Sequence, residues 1–307
     1  MQNPPKSTDP EWDILKLLKW TTSYFKSHDI DSPRATAEIL LAHALKKDRI
    51  DLYIRHDQPL SPDELSLYKE LIKRRINREP VAYIVGEKEF WSMDFAVNPD
   101  VLIPRPETEC LVEATLLLLS GDPEGSDSEP KRILELGTGS GAVILAVACH
   151  RPNNFFFASD RSINAVALAK QNAGRHHLDG NVRFFCGDWF APVSTAGCQF
   201  DIILSNPPYV QTRVIGELQP EIRQYEPISA LDGDEDGTGC LNRIIREAHI
   251  YLRREGELLL EIGHDQKHGV LKIIDETENY EDIEFIKDYG GHNRVVRMKK
   301  KSVADKA

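Results

Sequence analysis

Methionine, cysteine and surplus positive charge are all scarce in this 307-residue chain. The five cysteines (Cys110, Cys149, Cys186, Cys198 and Cys240) are odd in number and form no C-x-x-C pair. That pattern argues against a disulfide framework or a zinc site, and reduced thiols in a cytoplasmic protein are the simple expectation. Ten histidines include no H-E-x-x-H, so no metal centre is expected either. The longest apolar stretches, near Ala114–Leu119 and Ala142–Cys149, fall far short of the roughly 20 residues that span a bilayer. Met1–Lys6 lacks the apolar core of a signal peptide, so no membrane association is expected. The formal charge is -11, and residues 1–90 hold 15 basic and 15 acidic side chains, so the acidic surplus lies wholly in residues 91–307. Proteins that grip a long nucleic-acid backbone need a cationic surface, which speaks against direct nucleic-acid binding.

What remains is an ordinary globular composition, 41% hydrophobic and 28% charged, in a chain long enough for two domains. Residues 1–80 read as an N-terminal helical bundle. Trp12, Ile14, Leu15, Leu17, Leu18 and Trp20 make an apolar stripe, Ser32-Pro33 offers a cap with proline at the first helical position, and Ser61-Pro62-Asp63-Glu64 is a capping box. Such an appendage has no chemistry of its own and suits the docking of a macromolecular partner. Residues 81–103 change to period two: Val81, Tyr83 and Val85, then Phe90, Met93, Phe95 and Val97, predict a β-hairpin linker turning near Gly86-Glu87-Lys88. Gly121–Ser128 is a loop by composition, and the lysines at 299–301 and 306 suggest a disordered tail.

Residues 104–307 form the second domain, where strands and helices alternate after Lys131. Predicted strands are 132–136, 155–159, 182–186, 200–205, 257–262, 283–288 and 294–298, with helices at 142–150, 163–176, 239–253 and 266–277. Alternation of this kind implies a mostly parallel sheet covered on both faces. Only Tyr289–Asn293 separates the last two strands, too little for a crossover helix, so the last strand should run antiparallel. An α/β fold with seven strands and a reversed last strand fits the class I methyltransferase sheet, Rossmann-like, better than a dinucleotide-binding one.

Three strand ends carry candidate chemistry. Gly137-Thr138-Gly139-Ser140-Gly141 follows the first strand and opens a helix, where glycines permit close backbone approach and free N–H groups face an anion. Asp160, 23 residues after Gly137, can accept from both ribose hydroxyls or cap the helix at Ile163. Trp189 can pack on an adenine or simply fill the core, Asp188 can accept from the adenine amine, and Glu135 is either a cofactor contact or a strand end. The strongest signal is Asn206-Pro207-Pro208-Tyr209 after the apolar run 200–205. Two prolines remove N–H donors and freedom, leaving an Asn oxygen and a backbone carbonyl as fixed acceptors. Two such acceptors suit a planar NH2 group, with its lone pair turned toward an electrophile, and Tyr209 is expected against the planar amide or base. Asp232-Gly233-Asp234-Glu235-Asp236-Gly237 looks like half of a calcium loop, but Arg243 stands where the bidentate Glu belongs, so a solvated loop is expected.

With these residues in view, the chain resembles the peptide chain release factor glutamine methyltransferase family over almost its whole length. The resemblance is carried by Ile103–Glu109, Leu134–Gly141, Gly187-Asp188-Trp189, Ser205–Tyr209, Tyr225–Leu231, Glu261-Ile262-Gly263 and Asp288–Val296. The 232–237 run departs from the family's usual Gly-Gly-x-Asp-Gly. The resemblance implies S-adenosyl-L-methionine as cofactor, held by Gly137–Gly141, Asp160, Trp189 and Asn206. It implies a glutamine slot of Asn206, Pro207, Pro208 and Tyr209, and class 1 peptide chain release factors as partners, methylated on the Gly-Gly-Gln glutamine. Alternatives are glutamine methylation of a ribosomal protein and N6-adenine or N2-guanine methylation of nucleic acid. A binding adaptor without turnover is a third.

Overall fold

The computed structural model describes residues 12–120, 129–195 and 199–302. Cys198, Lys306 and the expected loop at Gly121–Ser128 lie outside the described residues. Two compact units are present: one runs to Glu87 and takes in Gln219–Tyr225, and the other comprises Lys88–Leu218 and the chain from Glu226. Among the described residues no helix is long and apolar enough to cross a membrane.

The first unit is helical, as the patterning predicts. Helix α1 (Ile14–Lys26) is capped by Asp13, whose carboxylate accepts from Lys16 N at 2.7 Å, and it buries Ile14, Leu17, Leu18, Thr21 and Phe25 along one stripe. Helices α2 (Pro33–Leu45) and α3 (Arg49–Ile54) follow, then α4 (Pro62–Ile76), where the Ser61/Glu64 capping box forms as expected. Ser32 is a correction: it sits in the left-handed region at φ 46° and makes no side-chain cap bond, so Pro33 alone presets the first turn. The helix Pro220–Tyr225 completes this unit. Glu221 accepts from the buried Arg75 at 2.7 Å and from Arg78 at 3.2 Å, while the Tyr225 hydroxyl donates to Asn77 O at 2.7 Å.

The linker corrects the period-two reading. Val81–Val85 is a helical turn, α5, opened after Pro80 and closed by Gly86 at φ 81°, with Ile84 N donating to Pro80 O and Gly86 N to Ala82 O. It buries the adjacent Tyr83 and Ile84 rather than alternate residues. The hairpin exists but begins later, as β1 (Glu87–Phe90) and β2 (Met93–Ala96). Trp91 and Ser92 form its turn with φ 52° and 56°, the left-handed pair that matches strand twist. Neither residue announces such a turn, whereas Gly86 did.

The second unit is built on a seven-stranded sheet. In chain order come α6 (Glu109–Ser120), β3 (Arg132–Leu136), α7 (Ala142–His150), β4 (Phe155–Asp160), α8 (Ile163–Arg175), β5 (Val182–Cys186) and β6 (Phe200–Ser205). Then follow α9 (Thr212–Ile215), α10 (the Pro220–Tyr225 helix of the first unit), α11 (Gly239–Tyr251), β7 (Leu252–Glu261), α12 (Lys267–Thr277), β8 (Tyr280–Lys287) and β9 (Asn293–Lys300). The strand order is β5-β4-β3-β6-β7-β9-β8; the first five run parallel, and β9 is antiparallel to both neighbours. Ile133, Ile202, Leu204 and Leu259 enter the core on one face, and Leu134, Ile203, Leu258 and Leu260 that on the other. Burial on both faces is why these strands read as unbroken apolar runs. Each such side chain contributes about 1.5–3 kcal/mol relative to exposure. Lys299 and Lys300 are not tail but strand, and Lys300 Nζ donates to Leu252 O at 2.7 Å.

Chain order reverses at β3: β4 and β5 extend the sheet to one side, β6 and β7 to the other. Open parallel sheets bind ligands beyond the carboxyl ends of their strands at such a point. Gly137, Asp160 and Asn206 all stand there.

Candidate active site

After β3 the chain takes Gly137, Gly139 and Gly141 through the left-handed region, at φ 70°, 54° and 82°. Thr138 N donates to Ser159 O and Gly141 N to Thr138 O, which ties the loop to the end of β4. Asp160 completes the tie: one carboxylate oxygen accepts from Gly139 N and the other from Ser162 N, both at 2.9 Å. Ser162, not Asp160, caps α8 through its hydroxyl on Ala165 N. Each Asp160 oxygen keeps a second lone pair for a ligand.

A cavity of about 860 Å³ opens over these strand ends. Gly137, Thr138, Gly139, Ser140, Asp160, Trp189, Asn206 and Pro208 line it; Gly141, Pro207 and Tyr209 do not. Gly141 serves helix packing instead, since a Cβ there would lie 3.1 Å from Leu145 Cδ1 and 3.2 Å from Ala169 Cβ. Pro207 is buried. Tyr209 donates its hydroxyl to Glu261 Oε1 at 3.3 Å. Asp188 lines the cavity but is paired with Arg243 at 2.7 Å, which competes with the adenine contact expected of it.

Asn206 follows β6, and its Nδ2 donates to Thr108 Oγ1 at 3.1 Å. That bond engages one of the two amide N–H groups, while Oδ1 can only accept. Two buried acids stand at these strand ends, Glu135 in the cavity wall and Glu261 outside the lining. Glu135 lines the cavity while only 2% exposed; burial pushes its carboxyl up to about 8, although the Thr138 hydroxyl and the Ile144 N–H favour its charge. Glu261 is pushed up to about 7 by burial, against the pull of Thr108, Arg294 and Tyr209. Burial also raises the Tyr209 phenol, and the Glu261 charge adds to that.

Residue-type reasoning passed over the supports of this site. Arg105 lines the cavity and pairs at 2.7 Å with Glu226, whose side chain is buried, so the Pro104–Glu109 turn is clamped to the segment after α10. Thr108 and Glu261 fall within segments that carry the family resemblance, but residue type alone gave neither of them a role. The acidic 232–237 loop lies against the slot: a Cβ on Gly233 would stand 2.8 Å from Tyr209 Cα and 2.9 Å from Pro208 O. Gly233 N and Val210 N bond across the two segments as a short backbone ladder. Among the described residues no group of His, Cys, Asp and Glu is placed to hold a metal ion.

Comparison with known proteins adds two family models and a set of relatives. The PrmC N-terminal domain model matches residues 16–86, and the Methyltransferase small domain model matches 111–220. The release factor glutamine methyltransferase of Geobacter sulfurreducens is 39% identical over 93% of this chain and 96% of its own length. That of Salmonella typhimurium is 43% identical over 87% of this chain and 92% of its own. Among solved structures, the hMettl16 catalytic domain in complex with the MAT2A 3'UTR hairpin 6 aligns with a TM-score of 0.56 at 14% identity. That alignment covers 75% of this chain and 82% of the other. The likeness concerns the fold, a class I methyltransferase sheet with its reversed last strand.

Proposed function

The chain belongs to the release factor glutamine methyltransferase family, and from that premise we propose that it methylates the side-chain amide nitrogen (N5) of a protein glutamine. The substrate is the glutamine of the Gly-Gly-Gln loop in class 1 peptide chain release factors, and the methyl donor is S-adenosyl-L-methionine. The cavity suits that donor. Two left-handed glycines line it, and an added Cβ at Gly139 would meet only open space, so backbone can approach a ligand closely. The N-terminus of α7 offers N–H groups for the methionine carboxylate, Asp160 offers two oxygens for ribose hydroxyls, and Trp189 offers a flat wall for adenine. When bound, the donor supplies an electrophilic methyl on a sulfonium centre.

The protein's task is orientation. An amide nitrogen is a poor nucleophile because its lone pair is delocalised into the carbonyl. Asn206, on the cavity wall, accepts one N–H bond of the glutamine through Oδ1, and the backbone carbonyl of Pro207, whose ring is buried beside it, accepts the other, leaving the lone pair to face the methyl group. Alignment of this kind contributes on the order of 7–11 kcal/mol toward the barrier. Acceptors on both N–H bonds also favour the positive charge that grows on nitrogen, a transition-state effect. The single observation that supports the reading is the Asn206–Thr108 bond, which engages the amide nitrogen of a residue that lines the cavity and is consistent with an oxygen left to accept.

The test is transfer of labelled methyl from S-adenosylmethionine to purified release factor, with a ribosomal protein and DNA as parallel acceptors. Asn206→Ala is expected to lose turnover by about 10²–10³-fold, the loss typical of one removed transition-state contact, with cofactor affinity weakened at most. Near-normal methylation by that variant would defeat the proposal.

A further inference from the structure

The Asn206–Tyr209 segment is held at both ends. At its start, Asn206 Nδ2 donates to Thr108 Oγ1 at 3.1 Å. At its finish, the Tyr209 carbonyl accepts from the side-chain amide of Gln266 at 3.1 Å. Gln266 precedes α12, and the same Nε2 donates to Gly237 O at 2.8 Å, while its Oε1 accepts from Gly263 N at 2.8 Å. One half-buried side chain thus joins three segments: the slot after β6, the acidic loop before α11 and the turn after β7. Among the described residues, Gln266 Nε2 is the one hydrogen-bond donor to the Tyr209 and Gly237 carbonyls.

The junction is tightly packed. Gly237 is buried at φ 76°, and a Cβ on it would lie 2.6 Å from Tyr209 O and 3.0 Å from Gln266 Nε2. Two N–H donors and an acceptor on one planar group meet all three contacts; glutamate has the shape without the donors. Prolines fix φ at 207 and 208, so the aim of the Pro207 carbonyl follows from where the two ends of the segment are held. We propose that Gln266 is a positioning residue of the slot: by donating to Tyr209 O and Gly237 O it fixes the far end of the segment, and with it the aim of the Pro207 carbonyl at the substrate NH2. The inference rests on the glutamine-methylating reading of the slot.

Gln266 also stands at the N-cap position of α12, so a role confined to starting that helix is the competing account. The two accounts part at Gln266→Glu. A carboxylate is favourable at a helix N-terminus, and its oxygen can still accept from Gly263 N. It has no proton for either carbonyl and turns an oxygen toward both. A helix-start residue tolerates that change, whereas a positioning residue does not. Asp232 and Asp234 of the acidic loop line the cavity with Pro208, so release of the loop also alters the wall beside the slot. The Asp160 carboxylate bonds Gly139 N and Ser162 N, not Gln266, so the cofactor end of the cavity is spared.

The test is steady-state methylation of release factor by the full chain carrying Gln266→Glu, Gly237→Ala, or both, with circular dichroism to verify folding. Gln266→Glu is expected to lower kcat on the order of 100-fold, the loss that goes with a misplacement of about 1 Å at the reacting atoms. KM for release factor and Kd for S-adenosylmethionine are expected to stay near wild type. Gly237→Ala drives a methyl group into the same junction from the loop side and is expected to lower kcat in the same way. The double variant is expected to be no worse than the poorer single, since both open one contact. Wild-type kcat in Gln266→Glu, fully additive losses, or a fall in kcat matched by a rise in Kd for S-adenosylmethionine would overturn the proposal. Should Gln266→Glu fail to fold, Gly237→Ala decides alone, since it leaves Gln266 in place. A wild-type chain that moves no methyl to release factor refutes the reading of the slot, and this inference falls with it. An active wild type beside a fully active Gln266→Glu refutes the inference alone.

Discussion

Gly139→Ala and Gly141→Ala place the same methyl group two residues apart in one loop, and the structure expects them to damage different things. Both backbones are left-handed, at φ 54° and 82°, so each alanine costs about 1–2 kcal/mol of strain. At Gly139 the new Cβ meets nothing within 4 Å and projects from the cavity wall. At Gly141 it lies 3.1 Å from Leu145 Cδ1 and 3.2 Å from Ala169 Cβ, with α7 and α8 already packed, and overpacking adds about 1–3 kcal/mol. Gly141→Ala is thus expected to lose about 2–5 kcal/mol of stability and Gly139→Ala about 1–2. Cofactor affinity should follow the opposite order: Gly139→Ala intrudes on the ligand's space and should weaken binding at least about tenfold, or 1.4 kcal/mol. Urea unfolding and calorimetric titration with S-adenosylmethionine measure the two effects. Equal losses of stability, or a larger loss of affinity in Gly141→Ala, would refute the assignment of Gly141 to packing and Gly139 to the ligand wall.

Two further outcomes concern stability. The Glu135 carboxyl is raised from 4.5 to about 8 by burial, so the folded state holds its proton more tightly than the unfolded state. Its contribution to stability is present below about pH 4.5 and is lost as pH rises toward 8; Glu135→Gln should flatten that decline in a pH series of urea midpoints. Identical slopes in the two proteins would show that Glu135 is not the group responsible. In the helical unit, Glu221→Ala strips the partner from Arg75, a side chain 5% exposed. The loss should be about 3 kcal/mol, read as a lowered thermal transition of that unit, and a shift under a degree would mean that Arg75 finds another acceptor.

The three acids in and behind the cavity wall divide the work by environment. Asp160, bonded by two backbone N–H groups, braces the glycine loop. Glu135 and Glu261 sit at the ends of β3 and β7, where central-strand burial raises both carboxyls. A carboxyl in such a place is tolerable where hydroxyls bond to it, as Thr138 does to Glu135 and Tyr209 to Glu261.

Much of this protein follows from local sequence. Apolar runs of strand length separated by helix-period stretches require a covered parallel sheet, and the short Asp288–His292 connection forces the final pair antiparallel. The strand-end positions of Gly137, Asp160 and Asn206 then bring them to one crevice, because parallel strands deliver their carboxyl ends to one edge. What local pattern could not decide was settled by partners distant in sequence. Val81–Val85 is helical because Pro80 and Gly86 bracket a turn that buries adjacent residues, which outweighs its β-branched alternation. Thr108 meets Asn206 across 98 residues, and Tyr209 meets Glu261 across 52. Hydrogen-bond polarity, such as the Asn206 amide donating to Thr108, is set by which groups the fold packs together and leaves no periodic trace along the chain.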